Sequence, residues 1–187
     1  EQIRKTGAAA HVMGHSMGGM VAQELAATAP ELVKSLILLN TTPAFGGKDD
    51  SFKETFVAAR LALLDAGQSM AALAEGAVAE MTAAETPPAD RRFLEALMAE
   101  TPEPAYRAAI ECLVTFDRFA DQSSYPMPVL LVGGAEDPAA PARTMKKMAA
   151  KIPNAHVTLL PGRHMTPVEQ AEATNQLIRQ FLEEVER

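Results

Sequence analysis

Apolar runs alternate with helix-like segments in the first and last parts of this chain. The four runs lie at residues 8–13, 36–39, 129–132 and 155–160. Helix-like segments lie at 20–27, 141–152 and 167–184, and residues 1–7 look like the end of a helix with a glycine stop. The runs at 36–39 and 129–132 indicate buried strands, and the composition of the run at 8–13 also suits a strand covered on both faces. The pattern predicts an α/β fold in which helices flank a mostly parallel sheet.

The middle of the chain has a different pattern. From residue 41 to 125 the strand signal disappears, and the sequence is alanine-rich with helical periodicity. One predicted helix face carries Phe52, Phe56, Ala59 and Leu63. Prolines near 87–88 and 102–104 divide the stretch into shorter helices. We therefore predict three parts: a first core segment over 1–40, a helical insertion over 41–125, and a second core segment over 126–187.

The first predicted strand leads into Gly14-His15-Ser16-Met17-Gly18-Gly19, which opens a helix. Strand, Gly-x-Ser-x-Gly and helix together indicate a nucleophile elbow, a strained turn that lifts one serine hydroxyl clear of the sheet. Small residues are expected on both sides of Ser16 because its backbone crowds the neighbouring turns. Backbone N–H groups at the start of the helix face the place where negative charge develops in acyl transfer. The pattern predicts Ser16 as the nucleophile and the Met17 N–H as an oxyanion donor.

An acid and a histidine follow the last two predicted strands. Asp137 comes after the strand near 129–132, and His164 comes after the strand near 155–160. Open parallel sheets place their sites just past the carboxyl ends of the strands. The order serine, aspartate, histidine is that of one class of triad hydrolases and differs from the orders of chymotrypsin and subtilisin. The spacing therefore predicts a triad of Ser16, Asp137 and His164.

Other polar residues have weaker claims to these roles. Glu136 precedes the predicted acid, and Asn40 follows an earlier strand but cannot act as an acid. The remaining histidines are expected in other positions: structural for His11, shaping the pocket for His15, and superficial for His156. The histidines and the single cysteine show no metal-ligand spacing, so we expect neither a metal nor a cofactor.

These motifs resemble the α/β-hydrolase superfamily over residues 7–181, and within it the 3-oxoadipate enol-lactonase group. The resemblance rests on the elbow, the stretch 71–78, the Phe116-Asp117 pair shortly before 126–129, and residues 167–170 after the histidine. It implies a partial α/β-hydrolase fold, that is, the C-terminal strands of the sheet, with residues 41–125 as a helical cap. It also points to Asp137 rather than Glu136 as the acid.

The resemblance implies a serine hydrolase that cleaves a small carboxylic ester or lactone through an acyl-enzyme. His164 would serve as base, and Asp137 would fix its tautomer. Two alternatives stay open. The same triad could support acyl transfer or perhydrolysis, or the chain could be a non-catalytic fragment or receptor on this fold.

Two features depart from the family pattern. Arg163 stands where relatives usually carry glycine, which places a cation beside the predicted base. The family also has strands before the elbow and a second oxyanion donor, often within a His-Gly pair, that these residues do not supply. We therefore expect a fragment whose sheet is completed by a missing N-terminal segment or a companion chain, and which is inactive alone.

Composition narrows the function classes. The net charge of −7, without a Lys/Arg-rich run, argues against nucleic-acid binding. No apolar stretch approaches the length of a membrane span, so no membrane partner is expected. Cys112 is the only cysteine, which excludes an internal disulfide and favours a cytoplasmic location. Its apolar neighbours predict a place in the core rather than a catalytic role.

Overall fold

A computed structural model describes residues 1–45 and 50–187 of the chain. These residues form two compact units, Glu1–Ala44 with Asp117–Arg187 and, separately, Phe45–Phe116. The elements up to the end of the second strand are α1 (Gln2–Thr6), β1 (Ala10–His15), α2 (Met17–Thr28) and β2 (Val33–Leu39). The helices of the second unit are α3 (Asp50–Asp65), α4 (Met70–Met81), α5 (Pro88–Ala99) and α6 (Glu103–Leu113). The remaining elements are β3 (Val129–Gly134), α7 (Ala142–Lys151), β4 (Ala155–Leu160), α8 (Thr166–Glu169) and α9 (Ala171–Glu186).

The four strands form one parallel sheet in the order β1-β2-β3-β4. The prediction of an α/β fold with a parallel sheet and flanking helices is confirmed. The register pairs His15 with Leu39 and Leu39 with Val132, so the carboxyl ends of these strands lie along one edge. Residues that directly follow the strands are therefore neighbours in space, although they are far apart in sequence.

Both faces of the two central strands are covered, since side chains of β2 and β3 alternate between two hydrophobic clusters. One cluster joins these strands to α2 and α7 through Ala22, Ala26, Leu36, Leu38, Val129, Leu131, Met145 and Met148. The other joins them to α9 through Ile37, Leu39, Leu130, Val132 and Phe181. The continuous apolar runs seen in the sequence are explained by this burial on two sides.

The boundaries of the helical unit differ from the predicted 41–125. Residues 41–44 and 117–125 belong to the first unit, where Tyr125 is buried in the cluster with α2 and α7. An antiparallel bridge joins Ala44 to Asp117, and the Arg118 N–H donates to the Pro43 carbonyl at 2.8 Å. These contacts lie within the first unit and bring together the two points of its chain between which the helical unit is inserted. Residues 46–49 of the predicted cap lie outside the described residues.

The helical unit has its own core, built on a different face of α3 from the one that the sequence suggested. Leu61 and Leu64 are buried with Met70 and Leu73 of α4, whereas Phe52 and Leu63 are about half exposed. Prolines stand at the starts of α5 and α6, where a missing N–H costs no hydrogen bond. The prediction of a core position for Cys112 is wrong, because this residue is exposed.

The helix predicted at the N-terminus is present, whereas the helix predicted at the C-terminus is divided. The helix with a glycine stop is confirmed, since α1 is followed by Gly7 at φ 73°. The predicted helix at 167–184 is two helices, because Gln170 adopts φ −132° and ψ 46° and breaks the run between α8 and α9. Within the described part of the chain, no helix is long and apolar enough to cross a membrane.

Candidate active site

Ser16 occupies a strained turn between β1 and α2. Its φ of 52° and ψ of −119° lie outside the regions that non-glycine residues normally adopt. The surrounding backbone holds this conformation: the Ser16 N–H donates to the Leu39 carbonyl at 2.9 Å, and the Gly19 N–H donates to the Ser16 carbonyl at 2.9 Å. The Thr41 hydroxyl donates to the same carbonyl at 2.8 Å. This geometry is that of a nucleophile elbow.

The glycines around Ser16 differ in how much space surrounds them. A Cβ on Gly14 would lie 2.1 Å from the Gly18 carbonyl oxygen, and one on Gly19 would lie 2.7 Å from the Thr41 side chain. A Cβ on Gly18 would meet nothing within 4 Å. Residues 14 and 19 therefore have no room for a Cβ without a shift of their neighbours. The restriction that the motif predicts at its second glycine, Gly18, lies instead at Gly19.

The structure brings Ser16, His164 and Asp137 together in one continuous hydrogen-bonded chain. The Ser16 Oγ lies 2.8 Å from Nε2 of His164. Nδ1 of the same imidazole lies 3.0 Å from Oδ1 and 2.9 Å from Oδ2 of Asp137. A carboxylate only accepts, so Nδ1 carries the proton and Nε2 is left to accept the serine hydroxyl. The arrangement can therefore remove a proton from Ser16.

Asp137 is fully enclosed and has several donors. Its Oδ1 accepts the N–H groups of Ala139 and Ala140 at 2.8 and 2.9 Å, and its Oδ2 accepts Nδ2 of Asn40 at 2.9 Å. Burial raises the pKa of Asp137, but the hydrogen bonds from His164, Ala140 and Asn40 outweigh it and hold the pKa below its usual 3.8. The carboxylate is thus charged at neutral pH, opposite the imidazole.

Asn40 is a site residue whose role sequence reasoning missed. It directly follows β2, is completely buried, and has a φ of 45°. Besides Asp137, its Nδ2 donates to the Arg163 carbonyl at 3.1 Å, and its Oδ1 accepts the hydroxyl of the buried Thr166. Its position at the carboxyl end of a central strand was the available signal. Asn40 thus links the acid to the histidine loop by amide hydrogen bonds.

His15 lies beside His164, the histidine that bonds to Ser16 and Asp137. Its Nε2 is 2.8 Å from the His164 carbonyl oxygen, and the two rings are 5.2 Å apart. Burial lowers the pKa of His15 from its usual 6.5, and this effect exceeds the opposing effect of the hydrogen bond. His15 is therefore neutral at pH 7, with its proton on Nε2, and it holds the His164 backbone.

The other predicted residues lie as follows. Met17 is the first residue of α2, where a backbone N–H has no carbonyl partner within the helix. Glu136 is exposed, and its backbone N–H donates to the Gly162 carbonyl at 3.1 Å. His156 is an exposed residue of β4. The backbone of Arg163 takes part in the histidine loop through its carbonyl and its N–H.

A second serine–histidine–carboxylate chain lies elsewhere in the first unit. Nδ1 of His11 is 2.7 Å from the Ser35 Oγ, and its Nε2 is 2.8 Å from Oε1 of Glu186. Lys34 also contacts this carboxylate, at 2.5 Å. Ser35 is completely buried in the middle of β2, so no substrate can reach its hydroxyl. These bonds join α9 to the sheet, in agreement with a structural place for His11.

The site shows no feature of a metal centre. Among residues 1–45 and 50–187, no cluster of three or more histidine, cysteine or acidic side chains could hold a metal ion.

The fold and this site define the class of the protein. Residues 5–171 match the family described as alpha/beta hydrolase fold, and the chain belongs to this family. The resemblance inferred from the motifs is thereby confirmed at the level of the superfamily.

Several individual proteins are similar to the chain. The enol-lactonase from Burkholderia xenovorans has 25% identity and a TM-score of 0.84, with 94% of this chain and 66% of that one covered. A thermophilic esterase from Thermogutta terrifontis has 25% identity and a TM-score of 0.82, covering 92% and 64%. The proposed carbamate hydrolase RutD of Stutzerimonas stutzeri is 30% identical over 179 residues, 93% of this chain and 66% of its own length. The chain thus spans about two thirds of the length of these relatives.

Proposed function

We propose that the protein is a serine hydrolase that cleaves a small carboxylic ester or lactone. The observation that carries the proposal is the unbroken chain from the Ser16 hydroxyl through His164 to Asp137, which starts at a strained elbow residue. Each group has the partner that its role requires, and the acid is buried and charged. A structural serine such as Ser35 can also bond to an imidazole, but Ser16 combines this bond with a strained backbone at the end of a strand.

The proposed reaction has two stages. Nε2 of His164 takes the Ser16 proton while Oγ attacks the carbonyl carbon, and the imidazolium then gives this proton to the leaving alkoxide. Water attacks the acyl-enzyme, His164 takes its proton, and the carboxylic acid leaves as Oγ recovers the proton. Asp137 keeps the imidazole in the correct tautomer and stabilises its positive charge in both stages.

The negative charge on the carbonyl oxygen needs donors. We assign one to the Met17 N–H, which stands at the positive end of the 12-residue helix α2. The second is proposed to come from a segment outside these residues. Loss of one such donor costs about 10²–10³ in kcat, so the chain alone is expected to react slowly.

The open edge of β1 also supports the proposal that a segment outside these residues completes the fold. Within the described residues β1 pairs only with β2. Met13 in β1 is 58% exposed, although its register partner Ile37 is 2% exposed. We propose that a preceding segment or a companion chain pairs with β1 and covers this apolar surface. An unassociated, fully active monomer of residues 1–187, detected by mass in solution and ester turnover, would contradict this proposal.

The substrate class rests on the site and on the named relatives. Similar structures include an enol-lactonase and an esterase, and both names describe the cleavage of a carboxylic ester bond. An enol-lactone is our first choice of substrate within this class. The assignment of residues 41–125 as a substrate-selecting cap stays a prediction of the family resemblance.

Labelling with a fluorophosphonate tests the nucleophile, because only an activated serine reacts. The wild type should be labelled at Ser16, and Ser16→Ala should abolish both labelling and the hydrolysis of p-nitrophenyl acetate, by about 10³-fold or more. Ser123→Ala, which removes an exposed hydroxyl in the same unit, serves as the control and should change neither. Equal labelling of Ser16→Ala and the wild type would exclude the proposed triad. Ester product formed with added alcohol, in place of acid, would indicate acyl transfer.

A further inference from the structure

Two backbone hydrogen bonds to Glu169 have no part in the proposed reaction. This residue ends α8, and its Oε2 accepts the Arg163 N–H at 3.0 Å and the Met165 N–H at 3.2 Å. The two donors are the residues on either side of His164. A single carboxylate oxygen thus bonds to the backbone on both sides of the proposed base.

The carbonyl groups of the same loop are held from another direction. Asn40, after β2, donates to the Arg163 carbonyl, and His15, at the end of β1, lies 2.8 Å from the His164 carbonyl oxygen. The loop is therefore bound through its carbonyls to the sheet edge and through its N–H groups to Glu169. This division leaves the backbone at His164 little freedom to rotate.

Helix capping alone does not account for the contacts of Glu169. Met165 is the N-cap of the four-residue α8, and a capping box bonds only the N-cap N–H, from the third helical residue rather than from the fourth, which is Glu169. The bond to Arg163 reaches two residues further back. Gly162 also lies close to this carboxylate, because a Cβ built on it would be 3.3 Å from Oε2, and its φ is 111°. Residues 162 and 163, which directly precede His164, thus both lie against the Glu169 carboxylate.

We propose that Glu169 is a positioning residue for His164, which acts through the backbone on both sides of the imidazole. The inference rests on the proposed function, since it assumes that His164 is the base for Ser16. The bond to be maintained is the 2.8 Å contact between Nε2 and the Ser16 Oγ. A misplacement of about 1 Å at a reacting group can cost on the order of 10²-fold in rate.

Two substitutions separate reach from charge. Glu169→Gln keeps an oxygen at the same distance and removes the charge, whereas Glu169→Asp keeps the charge and shortens the side chain by one methylene. Glu172→Asp, at an exposed carboxylate three residues away, is the matched control. We expect Glu169→Asp to lower kcat about tenfold or more with KM within about twofold. Glu169→Gln should stay within about threefold of the wild type, and the control should be unchanged.

Amide hydrogen exchange measures the positioning without any turnover. In Glu169→Asp the amides of Arg163 and Met165 should exchange faster, while Glu169→Gln retains their protection. Thermal unfolding of each variant establishes that the comparison is made between folded proteins. An unaltered kcat in Glu169→Asp would refute the proposal, as would equal losses in the two variants. Failure of the proposed function is seen separately, as absence of Ser16 labelling in the wild-type protein.

Discussion

Replacing Gly14 by alanine tests whether the elbow depends on close backbone packing. The new Cβ would lie 2.1 Å from the carbonyl oxygen and 2.3 Å from the carbonyl carbon of Gly18, and 2.6 Å from the Gly19 nitrogen. All three atoms belong to the backbone at the start of α2. No rotation of a side chain can relieve the overlap, so the strand and the helix must move apart.

The expected magnitude follows from that distance. Ordinary van der Waals contact begins at 3.4 Å, so the backbone has to move by roughly 1 Å. Overpacking of this kind costs typically about 1–3 kcal/mol of stability. The same displacement at Ser16 would lengthen its 2.8 Å contact with His164 and reduce the rate by on the order of 10²-fold.

Gly18→Ala is the matched control, because it adds the same methyl group to the other glycine of the motif. A Cβ there meets nothing within 4 Å, and the residue is the second of α2. Alanine favours a helix over glycine by at most about 1 kcal/mol. This variant should therefore be as stable as the wild type or slightly more stable, with its reactive serine preserved.

The assay compares the rate of fluorophosphonate labelling with the free energy of unfolding in urea for the three proteins. We expect Gly14→Ala to lose labelling and stability together, and Gly18→Ala to lose neither. Full labelling of a stable Gly14→Ala protein would show that the close approach of Gly14 to Gly18 is not needed. Equal damage by both substitutions would show that the motif requires glycine for a reason other than space.

Two further predictions concern pH and the helical unit. Because the pKa of Asp137 is below 3.8 in the folded protein, its contribution to stability is complete above about pH 4 and is lost as pH falls through the lower folded pKa. The free energy of unfolding, measured in urea between pH 2 and 7, should fall more steeply at acid pH in the wild type than in Asp137→Asn. Parallel plots of this free energy against pH would refute the assignment. Leu73→Ala should destabilise the helical unit by about 2–5 kcal/mol, since Leu73 is 4% exposed. Leu97→Ala, at a residue that is 52% exposed, should cost far less. Equal losses of stability in the two variants would contradict the assigned core.

The strand and helix pattern was predictable because it depends on burial that is local to each element. β2 and β3 are buried on both faces, so their sequences are continuously apolar, and the fold class could be predicted from them. The apolar face of α3 could not be chosen in the same way. Two faces of this helix carry large apolar residues, and contacts with α4 decide that Leu61 and Leu64 are buried rather than Phe52 and Leu63.

By itself the sequence determined which residues could converge. Ser16, Asp137 and His164 each follow a predicted strand, and parallel strands present their carboxyl ends at one edge of a sheet. Only the tertiary structure decided what holds them there. Asn40 bonds to Asp137 across 97 positions of sequence, and no periodicity records such a pairing. The different surroundings of Gly14 and Gly18 were decided in the same way, because the space around a residue depends on atoms that only folding brings close.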